Sequence, residues 1–106
     1  MFYTFVETRL FTRLADQLLG DESLMLLQEF LSLHPHSGPV IPRSGGIRKL
    51  RWKSTGRGKR GGFRVIYYLR TRQGEIWLLT VYDKSETQNI APGVLRNIKE
   101  EIDGRQ

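Results

Sequence analysis

Three strand-like segments follow one another in the second half of the chain, at residues 47–53, 63–70 and 76–82. β-Branched and aromatic residues are concentrated in these segments, as they are in strands. Helical spacing of apolar residues occurs only before and after this run. Consecutive strands with helices outside them predict an α+β fold, in which a small antiparallel sheet carries its helices on one face and leaves the other face wet.

The first half of the chain supplies one further strand and two helices. Residues 1–6 are predicted to form the strand, and a helix is predicted to begin near Thr8 and end at Gly20. Asp21 is predicted to cap the second helix. Pro92 lies in the first turn of a final helix, since proline is favoured there. The predicted order is β-α-α-β-β-β-α, within one domain of 106 residues, because a chain of this length builds a single core.

Basic residues are concentrated between Arg43 and Arg72. This stretch carries eleven of the 17 lysines and arginines and none of the 11 acidic residues, so the remainder of the chain is net negative. A block of one charge sign is expected to attract a polyanion. Nucleic acid is the leading candidate partner, and an acidic protein or an anionic membrane surface is the next candidate.

Several classes of chemistry are excluded by composition. The chain has no cysteine, which removes disulfides, thiolate nucleophiles and cysteine zinc sites. Its two histidines, His34 and His36, form at best a weak metal pair and do not support a two-histidine ribonuclease. We expect no metal or other cofactor. The N-terminus lacks a signal peptide and no apolar run reaches membrane-spanning length, so we expect a cytoplasmic protein without a membrane segment.

The segment 47–53 places lysine and arginine at alternate positions. Lys49, Arg51 and Lys53 should therefore lie on one face of the strand. A solvated strand face is the ordinary explanation of such a pattern. Like charges on one face repel one another, however, and an anion would relieve that repulsion. Arg64 begins the next strand, where its planar guanidinium is suited to a phosphate.

The segment 54–62 is basic and rich in glycine, so its backbone can approach a phosphate chain closely. A flexible hairpin connection is an equally good interpretation. Lys84 and Glu86 follow the last strand, where functional residues often lie, although they can also be a plain surface pair. Three tyrosines lie near the basic residues: Tyr67, Tyr68 and Tyr82. Aromatic side chains beside basic residues can stack on RNA bases. Half or more of these three tyrosines should instead belong to the core.

Three motifs resemble those of a known family. They are GGIRKLR at 45–51, GKRGGFRVIYY at 58–68 and LLTVYDKSE at 78–86. Together they resemble the RelE/ParE superfamily of toxins, most closely its HigB branch. The resemblance implies a ribosome-dependent messenger-RNA endonuclease of a type II toxin–antitoxin system. It also implies a cognate antitoxin, commonly with a helix-turn-helix domain, through whose complex operator DNA would be bound.

The resemblance also implies roles for individual residues. It places Lys49 and Arg51 on the catalytic strand, Arg64 on the scissile phosphate and Lys84 after the last strand. Lys84 stands where arginine is often found, and Ile90 lies near the position of a tyrosine that some members carry. Residues expected to bind RNA or the ribosome are Arg48, Lys53, Arg57, Lys59, Arg60, Tyr82 and Glu86.

The predicted reaction begins when the ribose 2′-hydroxyl attacks the neighbouring phosphate. Lys49, beside Arg51 on the same strand face, is the candidate base. Arg51 and Arg64 would hold the phosphate, and Lys84 is the candidate acid or second electrostatic stabiliser. A non-catalytic RNA- or ribosome-binding module using the same basic face remains the main alternative. An inactive relative or a DNA-binding protein is a third interpretation.

Overall fold

A computed structural model describes residues 2–53, 62–86 and 90–105. It contains four strands and three α-helices, which confirms the predicted α+β class and the order of the elements. A short 3-10 turn over Thr71–Gln73 connects the third strand to the fourth. The elements are β1 (Thr4–Glu7), α1 (Arg9–Leu18), α2 (Gly20–Leu33), β2 (Arg48–Trp52), β3 (Phe63–Arg70), β4 (Glu75–Asp83) and α3 (Pro92–Asp103).

The four strands form one mixed sheet in the order β1-β4-β3-β2. β2 pairs with β3 and β3 with β4 in antiparallel fashion, as predicted. β1 pairs with β4 in parallel, so the prediction of a wholly antiparallel sheet is wrong at this edge. A tight hairpin forces antiparallel pairing, whereas β1 is separated from β4 by two helices and two strands, and such a connection permits either direction.

The helices lie on both faces of the sheet. Phe11 of α1 and Leu27 of α2 belong to one buried cluster, together with Val65 of β3. Leu95 of α3 belongs to a second cluster, together with Ile66 of β3. The prediction that all helices share one face is therefore wrong for α3. The physical reason is that adjacent residues of β3 are apolar and point to opposite faces, so each face needs a cover.

The start of α1 was predicted correctly, whereas the start of α2 was not. The Thr8 hydroxyl accepts a hydrogen bond from the Phe11 amide (2.9 Å) and donates one to the Leu79 carbonyl (2.8 Å), which caps α1 and ties it to β4. α2 begins at Gly20, so Asp21 lies inside the first turn and does not cap the helix. Its carboxylate still interacts favourably with the positive end of the helix dipole.

A charged cluster fixes the C-terminal end of α3 to the sheet. The Tyr68 hydroxyl donates to the Asp103 carboxylate, with O···O distances of 2.9 and 3.0 Å. Asp103 also lies 3.1 Å from Lys99 Nζ and 3.5 Å from Arg70 Nε. The Arg70 guanidinium is nearly buried and pairs with Glu75 at 2.9 Å. Arg70 belongs to the basic block of the sequence, but its charge is used inside the fold.

Titration of Tyr68 should weaken this cluster at high pH. Burial, followed by the hydrogen bond and charge of Asp103, raises the pKa of Tyr68 from 10.0 to about 12. The stabilisation is therefore complete below pH 10 and is lost as the pH rises through the folded-state pKa. We expect the free energy of unfolding to fall by about 2 kcal/mol between pH 10 and 12 from this group, at about 1.4 kcal/mol per pKa unit.

Urea denaturation of the wild type and Tyr68→Phe across this pH range measures the effect. Burial also raises the pKa of Tyr67, so the wild-type chain has a second alkaline component. Tyr68→Phe should retain the Tyr67 component and lose the one due to Tyr68. Identical pH dependence in the two proteins would contradict the prediction.

Candidate nucleic-acid interface

Strand register brings the predicted phosphate-binding cations together. Arg51 of β2 lies opposite Arg64 of β3, and Arg64 lies opposite Tyr82 of β4. Lys49 is paired with Ile66 one step along the same face. Because side chains alternate along a strand, these residues project from the face that α3 only partly covers. The sheet therefore presents a central row of Arg51 and Arg64, with Lys49 in the next row.

Lys84 lies on the other side of the arginine pair. Its backbone amide donates to the carbonyl of Gly62 at 3.0 Å, which continues the pairing of β3 with β4 beyond Tyr82. Lys84 and Lys53 line a depression of about 220 Å³ together with the two arginines. We call the five cations the basic groove: Lys49, Arg51, Lys53, Arg64 and Lys84.

The groove has a charge that the described part of the chain does not neutralise. Within residues 2–53, 62–86 and 90–105, Arg70 pairs with Glu75 and Asp103, and Lys99 pairs with Asp103; the groove cations are in none of these ion pairs. Arg64 is half-buried, and its guanidinium donates only to the carbonyl of Phe63 at 3.3 Å among these residues. Like charges placed opposite each other in a sheet are destabilising. An anion bound between the strands would relieve this repulsion.

The segment 37–42 forms a wall of the groove. It pairs along the outer edge of β2, where the Lys49 amide donates to the Pro39 carbonyl (3.0 Å) and the Ile41 amide donates to the Ile47 carbonyl (2.8 Å). A cleft of about 520 Å³ lies between this wall and the arginines, with apolar side chains such as Val40 at its rim. None of the strands predicted from the sequence covers this stretch. The adjacent apolar residues Val40 and Ile41 between prolines were the signal that could have revealed it.

Arg48 lies on the opposite face of β2 from the groove. Its guanidinium donates to the carbonyls of His36 (3.0 Å) and Gly38 (2.8 Å). The Tyr67 hydroxyl supports the same segment, donating to the Pro35 carbonyl (2.7 Å) and accepting from the Gly38 amide (3.0 Å). Arg48 therefore holds the groove wall in place. It does not lie in the groove, where the five groove cations meet.

The remaining predicted binding residues have different positions. Tyr82 is 9% exposed and lines the edge of the groove next to Lys49. Glu86 is exposed, and its amide donates to the Asp83 carbonyl (2.9 Å). Tyr67 and Tyr68 belong to the core, as expected for half or more of the tyrosines. Three predicted residues lie outside the described part of the chain: Arg57, Lys59 and Arg60.

No protein-family model matches the chain. The described residues contain no group of three or more histidine, cysteine or acidic side chains placed to hold a metal ion. Neither do they contain a helix with the length and apolar character needed to cross a bilayer. What the groove can do follows from its charge and shape, which suit a chain of phosphates.

Proposed function

We propose that this protein is the toxin of a type II toxin–antitoxin system, a metal-independent endoribonuclease of the RelE/HigB kind that cleaves messenger RNA on the ribosome. One observation carries the proposal. Arg51 and Arg64 face each other across β2 and β3 without a carboxylate partner among the described residues, and a lysine lies in the row on either side. Paired guanidinium groups bind the oxygens of a phosphate in a geometry that a single ammonium does not provide.

The order of the rows suits cleavage by in-line attack. Lys49 precedes the arginine row and Lys84 follows it, so the two lysines lie on opposite sides of a phosphate bound by Arg51 and Arg64. In-line displacement places the attacking and leaving oxygens on opposite sides of phosphorus. Lys49 would take the proton from the 2′-hydroxyl, whose oxygen then bonds to phosphorus to form the 2′,3′-cyclic phosphate as the bond from phosphorus to the 5′-oxygen breaks. Lys84 would give a proton to the departing 5′-oxygen or stabilise its charge.

The arginines would supply most of the stabilisation. Negative charge grows on the non-bridging oxygens as the 2′-oxygen attacks, and preorganised donors placed at those oxygens lower the barrier. Lysine is a poor acid and base at neutral pH, so orientation of the RNA must supply part of the rate. Binding of the messenger in the ribosome would provide that orientation. We propose accordingly that the toxin acts in the cytoplasm on translated messages.

A cognate antitoxin completes the proposal. The surface of the antitoxin that contacts the toxin would include acidic residues, because an acidic segment could cover the positive charge that the described residues leave unneutralised in the groove. A helix-turn-helix domain on that antitoxin would account for binding of operator DNA by the complex. Toxicity on induction, relieved by the product of the adjacent gene, is the outcome expected in cells.

A non-catalytic RNA- or ribosome-binding module is the second candidate. The observation that favours it is the absence of a histidine or carboxylate among the described residues that line the groove. Histidine and carboxylate are the commonest acid–base groups. The same five cations would serve binding alone, with the phosphates held and left uncut.

Mapping of RNA 5′ ends after brief expression in a translating extract separates the two candidates. The toxin should generate new ends within translated messages within minutes. A transcript that lacks a start codon should stay intact in the same reaction and serves as the control. Replacement of one ribose by 2′-deoxyribose should abolish cleavage at that site, because the attacking hydroxyl is gone. Inhibited translation with intact transcripts would show that the protein only binds.

A further inference from the structure

A second cleft adjoins the basic groove where α3 begins. It has a volume of about 310 Å³, and its walls are mainly apolar, including Ile41, Ile66 and Ile90. Lys49 and Tyr82 are the polar side chains that line it. We call it the helix cleft. Volumes of roughly 300 Å³ and above are typical of cavities that hold small ligands, and Lys49 joins this cleft to the groove.

Tyr82 gives the helix cleft a polar group without a partner. The residue is nine-tenths buried, yet its hydroxyl makes no hydrogen bond with any residue in the described ranges. In those ranges, Arg70 Nε is the one side-chain nitrogen or oxygen that is sealed from solvent without a hydrogen bond, so the Tyr82 hydroxyl is not sealed from solvent, and Tyr82 lines the cleft. Buried hydroxyl groups normally have a partner. The Tyr82 hydroxyl is therefore available to a ligand that enters the cleft.

The start of α3 adds positive potential beside the cleft. Ala91 and Pro92 form part of the cleft wall, and Ala91 is the N-cap residue. It provides no side-chain cap, and the first turn of this 12-residue helix contains no acidic residue. The positive end of the helix is therefore not neutralised locally and favours acceptor atoms in the cleft.

We propose that the helix cleft holds one base of the RNA, beside the phosphate bound by Arg51 and Arg64, and that it selects keto bases over amino bases. This inference rests on the proposed function and names a specificity site for it. The apolar walls suit the faces of a planar base, while Lys49 keeps the base next to the phosphate. Tyr82 would be the residue that reads the base edge.

The positive end of α3 and the Tyr82 hydroxyl account for the keto preference. The start of this helix carries no neutralising acidic residue and favours acceptor atoms, and the Tyr82 hydroxyl can donate to one. Guanine presents its O6 and N7 acceptors and uracil its O4 acceptor to such a site. Adenine and cytosine place an exocyclic amino group at the corresponding position, which would bring donor against donor.

Binding of short RNA tests the proposal without relying on cleavage. The probes are fluorescent trinucleotides with 2′-O-methyl riboses, in which one position at a time is guanine, adenine, uracil, cytosine or an abasic residue. Fluorescence anisotropy with the full chain measures Kd. At one position we expect guanine to bind at least fivefold more tightly than adenine, and uracil at least fivefold more tightly than cytosine. The abasic probe should bind most weakly.

Two variants locate the effect in the helix cleft. Tyr82→Phe keeps the ring and should remove most of the keto preference. Ala91→Trp, at an exposed position, should fill the mouth of the cleft and reduce binding of the guanine probe to the abasic level. Val94→Trp is the matched control, because Val94 lies nearby in the first turn of α3, is 51% exposed and does not line the cleft. It should bind like the wild type.

The outcomes separate this inference from the proposed function. Failure of every probe to bind, or binding that is indifferent to Arg64→Ala, overturns the base site, whereas the proposed function is overturned by intact transcripts in the translating extract. Binding that requires Arg64 but ignores base identity and the Ala91→Trp substitution overturns the base site alone. A keto preference that persists unchanged in Tyr82→Phe overturns the role of Tyr82 as the reader.

Discussion

Replacement of Arg64 by alanine is expected to reduce messenger-RNA cleavage by at least a hundredfold while the chain stays folded. Arg64 lies opposite Arg51 and lines both the 520 Å³ cleft and the depression beside Lys84. Removal of one preorganised donor to a developing oxyanion costs roughly 10²–10³ in rate. The fold should tolerate the change, because within the described residues the guanidinium makes one hydrogen bond, a long one (3.3 Å) to the neighbouring carbonyl.

Cleavage in a translating extract measures the effect, and circular dichroism with thermal unfolding verifies the fold. Arg72→Ala is the matched control, since Arg72 belongs to the same basic stretch but is exposed in the turn between β3 and β4. This variant should cleave within about twofold of the wild type, because its charge is exposed at a screened surface. Equal cleavage by wild type and Arg64→Ala would remove Arg64 from the reaction.

Arg70→Ala is expected to have the largest effect on stability, a loss of about 3 kcal/mol in the free energy of unfolding. Arg70 is nearly buried, pairs with Glu75 at 2.9 Å and lies 3.5 Å from Asp103. Its removal leaves two carboxylates near each other without that cation. Both carboxylates are partly exposed, with 26% and 35% of the side-chain area accessible, so water should limit the loss to the lower end of the range for buried pairs.

Urea denaturation near neutral pH measures this loss. Arg72→Ala again provides the comparison and should lie within about 0.5 kcal/mol of the wild type, as surface substitutions generally do. RNA binding by Arg70→Ala, measured below its unfolding transition, should be close to normal because the Arg70 charge is committed to the fold. Wild-type stability of this variant would contradict the role assigned to the cluster around Asp103.

Much of the fold could be predicted from local signals. The apolar content of β3 and β4, the cap at Thr8 and the proline at the start of α3 are features of short segments. The parallel pairing of β1 and the location of α3 on the second face are not local. Both depend on which distant segments meet, and a pattern of adjacent apolar residues indicates that two faces are covered without naming the elements that cover them.

The candidate site, too, depends partly on local signals and partly on which distant segments meet. Alternation along β2 was sufficient to place Lys49 and Arg51 on one face, whereas the meeting of Arg51 with Arg64 depends on strand register. Arg48 and Arg70 resemble the groove arginines in sequence. What distinguishes them is the partners that they find elsewhere in the chain, carbonyls at His36 and Gly38 for the first, and the carboxylate of Asp103 for the second.

The pairing of residues 39–41 with β2 has a consequence for association with other proteins. A sheet edge with free amides and carbonyls accepts an added strand from a partner, but backbone hydrogen bonds from this segment already occupy part of the edge at β2. β1 forms the opposite edge, with β4 and β3 between it and β2. A protein that docks by extending this sheet would meet less competition at β1, and from there it could bind without covering the cations.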